Sequence, residues 1–236
     1  VEIRHWGYAD KAGARAKGER NLCLLKKMAL DQPHDFYLCY QTGRTLLNLR
    51  RFDQALTWLE KATAAAGAQE QNRELYLHAR VLEAQALERL GRRFEAKKIL
   101  TLLVQLAPDY GPGHFGLARL EYSQGEYEAA GAWFRSFLEL DGGIVAGLNI
   151  TRMRFLAAML LGRSLEKTGH PGPAEEAYAK AVGIDPENPE PGLALARLSW
   201  ESGRKEEAKG FLTDCLKLRP NDRRANQLLH EIKAHV

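Results

Sequence analysis

Small and apolar residues recur along this chain in an order that is traversed five times. Counting each pass from Phe36, Leu77, Gly111, Phe155 and Pro189, the eighth residue is always small: Gly43, Ala84, Ala118, Gly162 and Ala196. The twentieth is Ala55, Ala96, Ala130, Ala174 and Ala208, and the twenty-fourth is Leu59, Leu100, Phe134, Tyr178 and Leu212. Places four apart share one face of a helix, so each pass predicts a first helix around the eighth place and a second around the twentieth and twenty-fourth. Small residues on both let the two helices cross closely, and the large twenty-fourth side chain fills the space between neighbouring pairs. The turn joining them reads Leu90-Gly91-Arg92, Gln124-Gly125-Glu126, Thr168-Gly169-His170 and Ser202-Gly203-Arg204, with glycine in the left-handed conformation that ends a helix. The first pass has Leu49-Arg50-Arg51 there instead. Pro108, Pro186 and Pro220 stand at the thirty-second place, where a second helix must stop.

This order resembles the tetratricopeptide repeat, whose period is about 34 residues. The resemblance implies an all-α fold: a right-handed helical-hairpin solenoid of about five repeats with an N-terminal helix and a C-terminal capping helix. Successive starts lie 41, 34, 44 and 34 residues apart. Two junctions therefore carry insertions, at Ala64 to Arg73 and at Gly142 to Thr151, read as loops or helix extensions. The expected organisation is a junction strand and leading helix over 1–35, repeats at 36–76, 77–110, 111–154, 155–188 and 189–220, and a cap over 221–236. In the cap, Ala225, Leu228, Leu229 and Ile232 face the last repeat.

Composition agrees with a helical array that grows by neighbour contacts rather than around one core. The hydrophobic fraction is 45%, and no run approaches the ~18 apolar residues of a membrane span, the nearest being Phe155 to Leu161. No signal-peptide pattern is read within these residues, and the expected location is the cytoplasm. Because the first residue is Val1, the sequence reads as a piece of a longer chain. The three cysteines have no metal-ligand spacing, and Cys39 and Cys215 are expected as core residues in a reducing compartment. A net charge of +4 is spread out, and Arg50-Arg51, Arg92-Arg93 and Arg223-Arg224 read as solvated surface rather than a nucleic-acid stripe.

Catalytic patterns are thin. His34, His78, His114 and His170 are scattered, and His230 and His235 pair only at the chain end. Neither a phosphate loop nor a Gly-x-Ser-x-Gly elbow is present, and Glu175-Glu176 and Glu206-Glu207 complement the dipoles of second helices. No cofactor or metal is expected in this chain.

What an array offers is a groove along its first helices. The ninth places, Arg44, Gln85, Arg119, Arg163 and Arg197, are expected to line it, with Tyr37, Tyr40, Phe115, Tyr122 and Trp200 interleaved. Arginine forks bind carboxylate or phosphate and aromatic faces stack, which fits a protein or peptide, an acidic partner or a glycan acceptor. The alternative is that these arginines pair with Glu88, Glu166 and Glu201. The Lys/Asn set that clamps a C-terminal carboxylate in chaperone-binding repeats is absent, since no ninth place is Asn. Trp58 and Trp133 share the twenty-third place, either as a self-association patch or as partly buried contacts. The insertion at Gly142 to Thr151 is near enough to fold over the groove.

The start of the chain is different. Val1-Glu2-Ile3-Arg4-His5-Trp6-Gly7-Tyr8 reads as a short strand and turn, followed by Lys17, Glu19-Arg20-Asn21, Leu24-Leu25, Asp31-Gln32-Pro33, His34-Asp35, Tyr40 and Gly43-Arg44. Over about residues 1 to 48 this succession resembles the junction in bacterial family 2 glycosyltransferases that carry C-terminal tetratricopeptide repeats. The resemblance implies a parent that transfers a sugar from a nucleotide-sugar donor, using a divalent metal held by an Asp-x-Asp motif that is not in this chain. His5 matches the histidine expected near the metal and diphosphate. This chain would then be the non-catalytic arm that holds an acceptor or recruits a partner. The other readings are a capping strand and helix over the first repeat, and a free-standing adaptor that assembles other proteins.

Overall fold

The computed structural model describes residues 11–65, 72–140 and 148–234. All regular structure among them is helical: α1 (Lys11–Asp31), α2 (Phe36–Asn48), α3 (Phe52–Ala64), α4 (Arg73–Arg89), α5 (Arg93–Leu106), α6 (Gly111–Gln124), α7 (Tyr127–Glu139), α8 (Ile150–Lys167), α9 (Pro171–Ile184), α10 (Pro189–Glu201), α11 (Lys205–Leu218) and α12 (Arg223–Ala234). The segment read as a junction strand, His5 included, lies outside the described residues, as do 66–71 and 142–147 of the two insertions, residue 141 and His235. The chain divides into two compact units, Val1–Gly116 and Leu117–Val236.

In the first unit α1 packs on α2, α2 on α3, α3 on α4 and α4 on α5. The crossing of α2 and α3 shows why the eighth place is small. A methyl group added at Gly43 would stand 2.6 Å from Leu59 Cγ and 3.3 Å from the Ala55 carbonyl oxygen. The eighth, twentieth and twenty-fourth places thus meet at one contact, where anything larger forces the helices apart. The core here gathers Phe36, Cys39, Tyr40, Ala62 and Ala79, with Trp58 and Tyr76 packed against it. Trp58 is half-buried, with the Lys61 ammonium 4.7 Å from its ring centre.

The turn between α2 and α3 has the same geometry as the glycine turns although it contains none. Arg50 has φ of +61°, against +77° to +83° for Gly91, Gly125, Gly169 and Gly203. The hydrogen bonds Arg50 N–H to Leu47 O and Arg51 N–H to Leu46 O, both 2.9 Å, close the end of α2 and hold Arg50 there.

In the second unit α7 packs on α8, α8 on α9, α9 on α10, and α10 on α11, while α12 lies against both α10 and α11. A Cβ at Gly162 would meet Tyr178 Cε1 at 2.6 Å, the counterpart of Gly43 and Leu59. Leu193, Ala196, Ala208, Leu212 and Cys215 form one core with Ala225 and Ile232 of α12, and Leu228 and Leu229 pack at its edge. The long α8 begins at Ile150, ahead of Phe155, so the downstream end of the second insertion is helix. Asn149 caps it, accepting from Arg152 N–H at 2.9 Å. Arg154 in that extra turn reaches back to donate to the carbonyls of Leu140 (3.0 Å) and Leu138 (2.9 Å), satisfying the end of α7. First helices tend to carry side-chain caps, as Asp35 does for α2 (2.7 Å to Leu38 N) and Asn188 for α10 (3.1 Å to Glu190 N). The second helices α3, α5, α7, α9 and α11 have none, because each starts directly from the tight turn.

Candidate functional site

A cleft of about 650 Å3 opens in the second compact unit. Its walls come from α8, α10 and α12, with Tyr122 of α6 and Tyr178 of α9. Helical spacing explains the alignment: Arg163, Glu166 and Lys167 share one face of α8, and Glu190, Leu193, Arg197 and Glu201 share one face of α10. Of the sequence-predicted residues, the cleft unites Tyr122, Arg163, Arg197 and Trp200.

The two cleft arginines differ in their bonding. Arg197 donates to Glu166 Oε2 across to α8 and to Glu201 Oε1 at 2.9 Å on its own helix. The other oxygen of Glu166 accepts the Tyr178 hydroxyl. Burial and the Glu166 carboxylate together push the Tyr178 pKa far above the ordinary range, so it remains a donor. Glu166 thereby fixes a ring of the core and a guanidinium of the cleft at once. Arg163 is exposed and has no hydrogen bond or ion pair among the described residues. The repeat register supplies the reason. Arg197, a ninth-place residue, meets the twelfth-place residue of the preceding repeat, Glu166. For Arg163 the equivalent residue is Tyr122, which has no carboxylate.

The sequence reading missed Arg224 as part of the site. Its guanidinium forks onto both oxygens of Glu190, at 3.0 and 2.5 Å. That bond draws the Glu190 carboxyl below its usual pKa. The signal was available as an acid and a base one repeat length apart. Cationic Arg163, Lys167, Arg197 and Arg224 face anionic Glu166, Glu190, Glu201 and Glu231, so the cleft is balanced in formal charge rather than basic.

Two predicted groove residues are corrected. Tyr40 is 1% exposed and Phe115 is 8% exposed, so neither ring is open to a ligand. Both occupy the fifth place of their repeats, three residues before the small eighth residue and therefore on the buried face. The Tyr40 hydroxyl is hydrogen-bonded with His78 Nδ1 at 2.8 Å, and its ring stacks on Phe36 with ring centres 6.1 Å apart. Arg44 and Gln85 belong to the first compact unit and are half-buried, whereas Tyr37 is exposed. Arg119 is half-buried on α6 in the second. Cys39 and Cys215 are buried, and burial raises the pKa of both thiols, that of Cys215 to about 11. Among the described residues no group of three His, Cys, Asp or Glu side chains could hold a metal ion.

Paired helices with a small residue at each crossing, and a cleft along the first helices, define a helical-hairpin repeat protein. The chain carries tetratricopeptide repeats: models described by that name match residues 36–68, 81–143 and 165–232. Among solved structures, a crystal structure of YrrB, titled a TPR protein with an unusual peptide-binding site, superimposes with a TM-score of 0.61 at 16% identity, covering 89% of this chain and 97% of that one. The C-terminal part of a TPR repeat-containing protein from Cytophaga hutchinsonii gives 0.70 at 12% identity, covering 93% of this chain and 81% of that one. Cellulose synthase operon protein C of Pseudomonas fluorescens (strain SBW25) is 23% identical over 206 residues, 72% of this chain. The match spans 16% of that relative's length.

Proposed function

We propose that this chain is a non-catalytic interaction module whose second compact unit holds a segment of a partner protein in the cleft between α8, α10 and α12. The observation that carries this reading is Arg163. It is a guanidinium without a carboxylate partner among the described residues, in a cleft that also holds Tyr122 and Trp200 and where the other two arginines are already engaged. An acidic side chain of an extended peptide supplies what Arg163 lacks, and the aromatic residues flank it. No helix among the described residues is long and apolar enough to cross a membrane. The three cysteines are unbridged, in keeping with a cytoplasmic setting. Titration of fluorescein-labelled acidic peptides, followed by anisotropy at two salt concentrations, tests the proposal. Salt-sensitive binding that Arg163→Ala abolishes supports it, and binding indifferent to that change refutes it.

A second reading makes the chain the acceptor- or partner-binding arm of a family 2 glycosyltransferase. The residue pattern from His5 to Arg44 supports it, as does the presence of Lys17, Arg20, Asn21, Leu24 and Leu25 on a single helix, α1. A relative named for a cellulose synthase operon adds a polysaccharide context. Oligosaccharides titrated against the same variants separate glycan from peptide. Sugar transfer by the product of the complete gene tests the parent enzyme.

A further inference from the structure

A second groove, of about 480 Å3, lies on the other side of α10. The first cleft is lined by Glu190, Leu193, Ala194, Arg197 and Glu201 of that helix, whereas the second takes Pro189, Gly192 and Leu195. Its walls are the second helices α9 and α11, and the two sites share no lining residue. Val182, Leu195, Phe211 and Leu218 give it an apolar floor, and Leu218 is 45% exposed. Gly192 is held at glycine because a methyl there would stand 2.7 Å from Cys215 Sγ.

The rim has one sign. Glu175, Glu176, Glu207 and Asp214 line the groove, and no lysine or arginine does. Arg204 bridges Glu175 to Glu207, and Lys217 pairs with Asp214 at 2.8 Å. Two cations thus answer four carboxylates, and Glu176 has no partner among the described residues. A groove with an apolar floor and surplus negative charge complements a segment that offers bulky apolar side chains flanked by lysine or arginine. We infer that the groove between α9 and α11 is a docking site for a basic, amphipathic helix of a partner protein, distinct from the first-helix cleft. The apolar anchors of that helix would displace water from the floor while its cations meet Glu176 and its neighbours.

The probe is a fluorescein-labelled helical peptide of about three turns, with leucine at i, i+3, i+4 and i+7 and lysine elsewhere, beside a counterpart with glutamate in place of lysine. Added to the whole chain, the lysine peptide should bind in a salt-sensitive manner and the glutamate peptide should not. Ala179→Trp, which fills the groove, and Glu176→Lys, which reverses an exposed charge without touching the core, should each weaken binding by about fivefold or more. Arg163→Ala should leave this binding unchanged, which separates it from occupancy of the first cleft. Amide shifts should fall on α9 and α11. The inference is overturned by absence of binding, by equal binding of the two peptides, or by indifference to both variants. It is equally overturned by a concentration-dependent dimer that Ala179→Trp dissolves, which would make a second copy the occupant.

Discussion

Gly162 on α8 and Tyr178 on α9 are matched so closely that one added methyl would lie 2.6 Å from the tyrosine Cε1. The ring has little freedom to yield, because its hydroxyl is bound to Glu166. Overpacking costs about 1–3 kcal/mol, whereas replacing a mid-helix glycine by alanine gains about 0.5–1 kcal/mol. The clash wins here, so Gly162→Ala should lower stability by about 1–2 kcal/mol in urea unfolding. Gly210, within α11, meets nothing within 4 Å. Gly210→Ala should instead raise stability by about 0.5–1 kcal/mol, and a loss of stability in urea unfolding would contradict open space at Gly210.

Arg50 holds a left-handed conformation that a side chain disfavours by about 1–2 kcal/mol. Arg50→Gly should therefore stabilise the protein by about 1 kcal/mol, while Arg50→Ala should not. Thermal melts of the two variants distinguish relief of backbone strain from loss of the arginine charge.

His78 predicts a pH dependence. Burial, with the charge of Arg44 adding to it, lowers its pKa from 6.5 to about 4. The folded protein thus holds the ring neutral where the unfolded chain protonates it. Stability from this group is full above pH 6.5 and is lost as pH falls toward 4, by up to about 3 kcal/mol. Glu83 acts in the opposite sense, since burial raises its carboxyl pKa and the folded state gains protons first. The informative quantity is therefore a difference. His78→Gln should flatten the slope between pH 6.5 and 4 relative to wild type, measured by urea unfolding at each pH. An unchanged slope would remove His78 as its source.

Arg163 and Arg197 occupy the same place in adjacent repeats but should respond oppositely to truncation. Arg163→Ala should leave stability within about 0.5 kcal/mol and abolish peptide binding. Arg197→Ala, which strips a half-exposed cation from Glu166 and Glu201, should cost about 1 kcal/mol. Equal stability losses would mean that Arg163 has a structural partner.

Arg154 should prove the most costly exposed-looking arginine to lose. Its two bonds to the end of α7 are charge-assisted and partly buried. Arg154→Ala should destabilise by about 1.5–3 kcal/mol. Arg152→Ala, two residues away and exposed, is the control expected to change little.

The sequence by itself determined the helices and how each pair crosses. These follow from residues close along the chain, where the period of a helix places Gly43 against Ala55 and Leu59, and Gly162 against Tyr178. It also carried the candidate arginines, because the ninth place recurs. Only the tertiary structure decided which of them are open. That depends on contacts between neighbouring repeats: Arg197 meets the Glu166 carboxylate at the twelfth place of the repeat before it, whereas for Arg163 the residue in that place is Tyr122, which has no carboxylate. The same distance in sequence hid the fork of Arg224 on Glu190, and the left-handed turn at Arg50 came from the closure of a turn that lacks the usual glycine. Each is set by a packing partner or by closure of a turn, to which hydrophobic periodicity is blind.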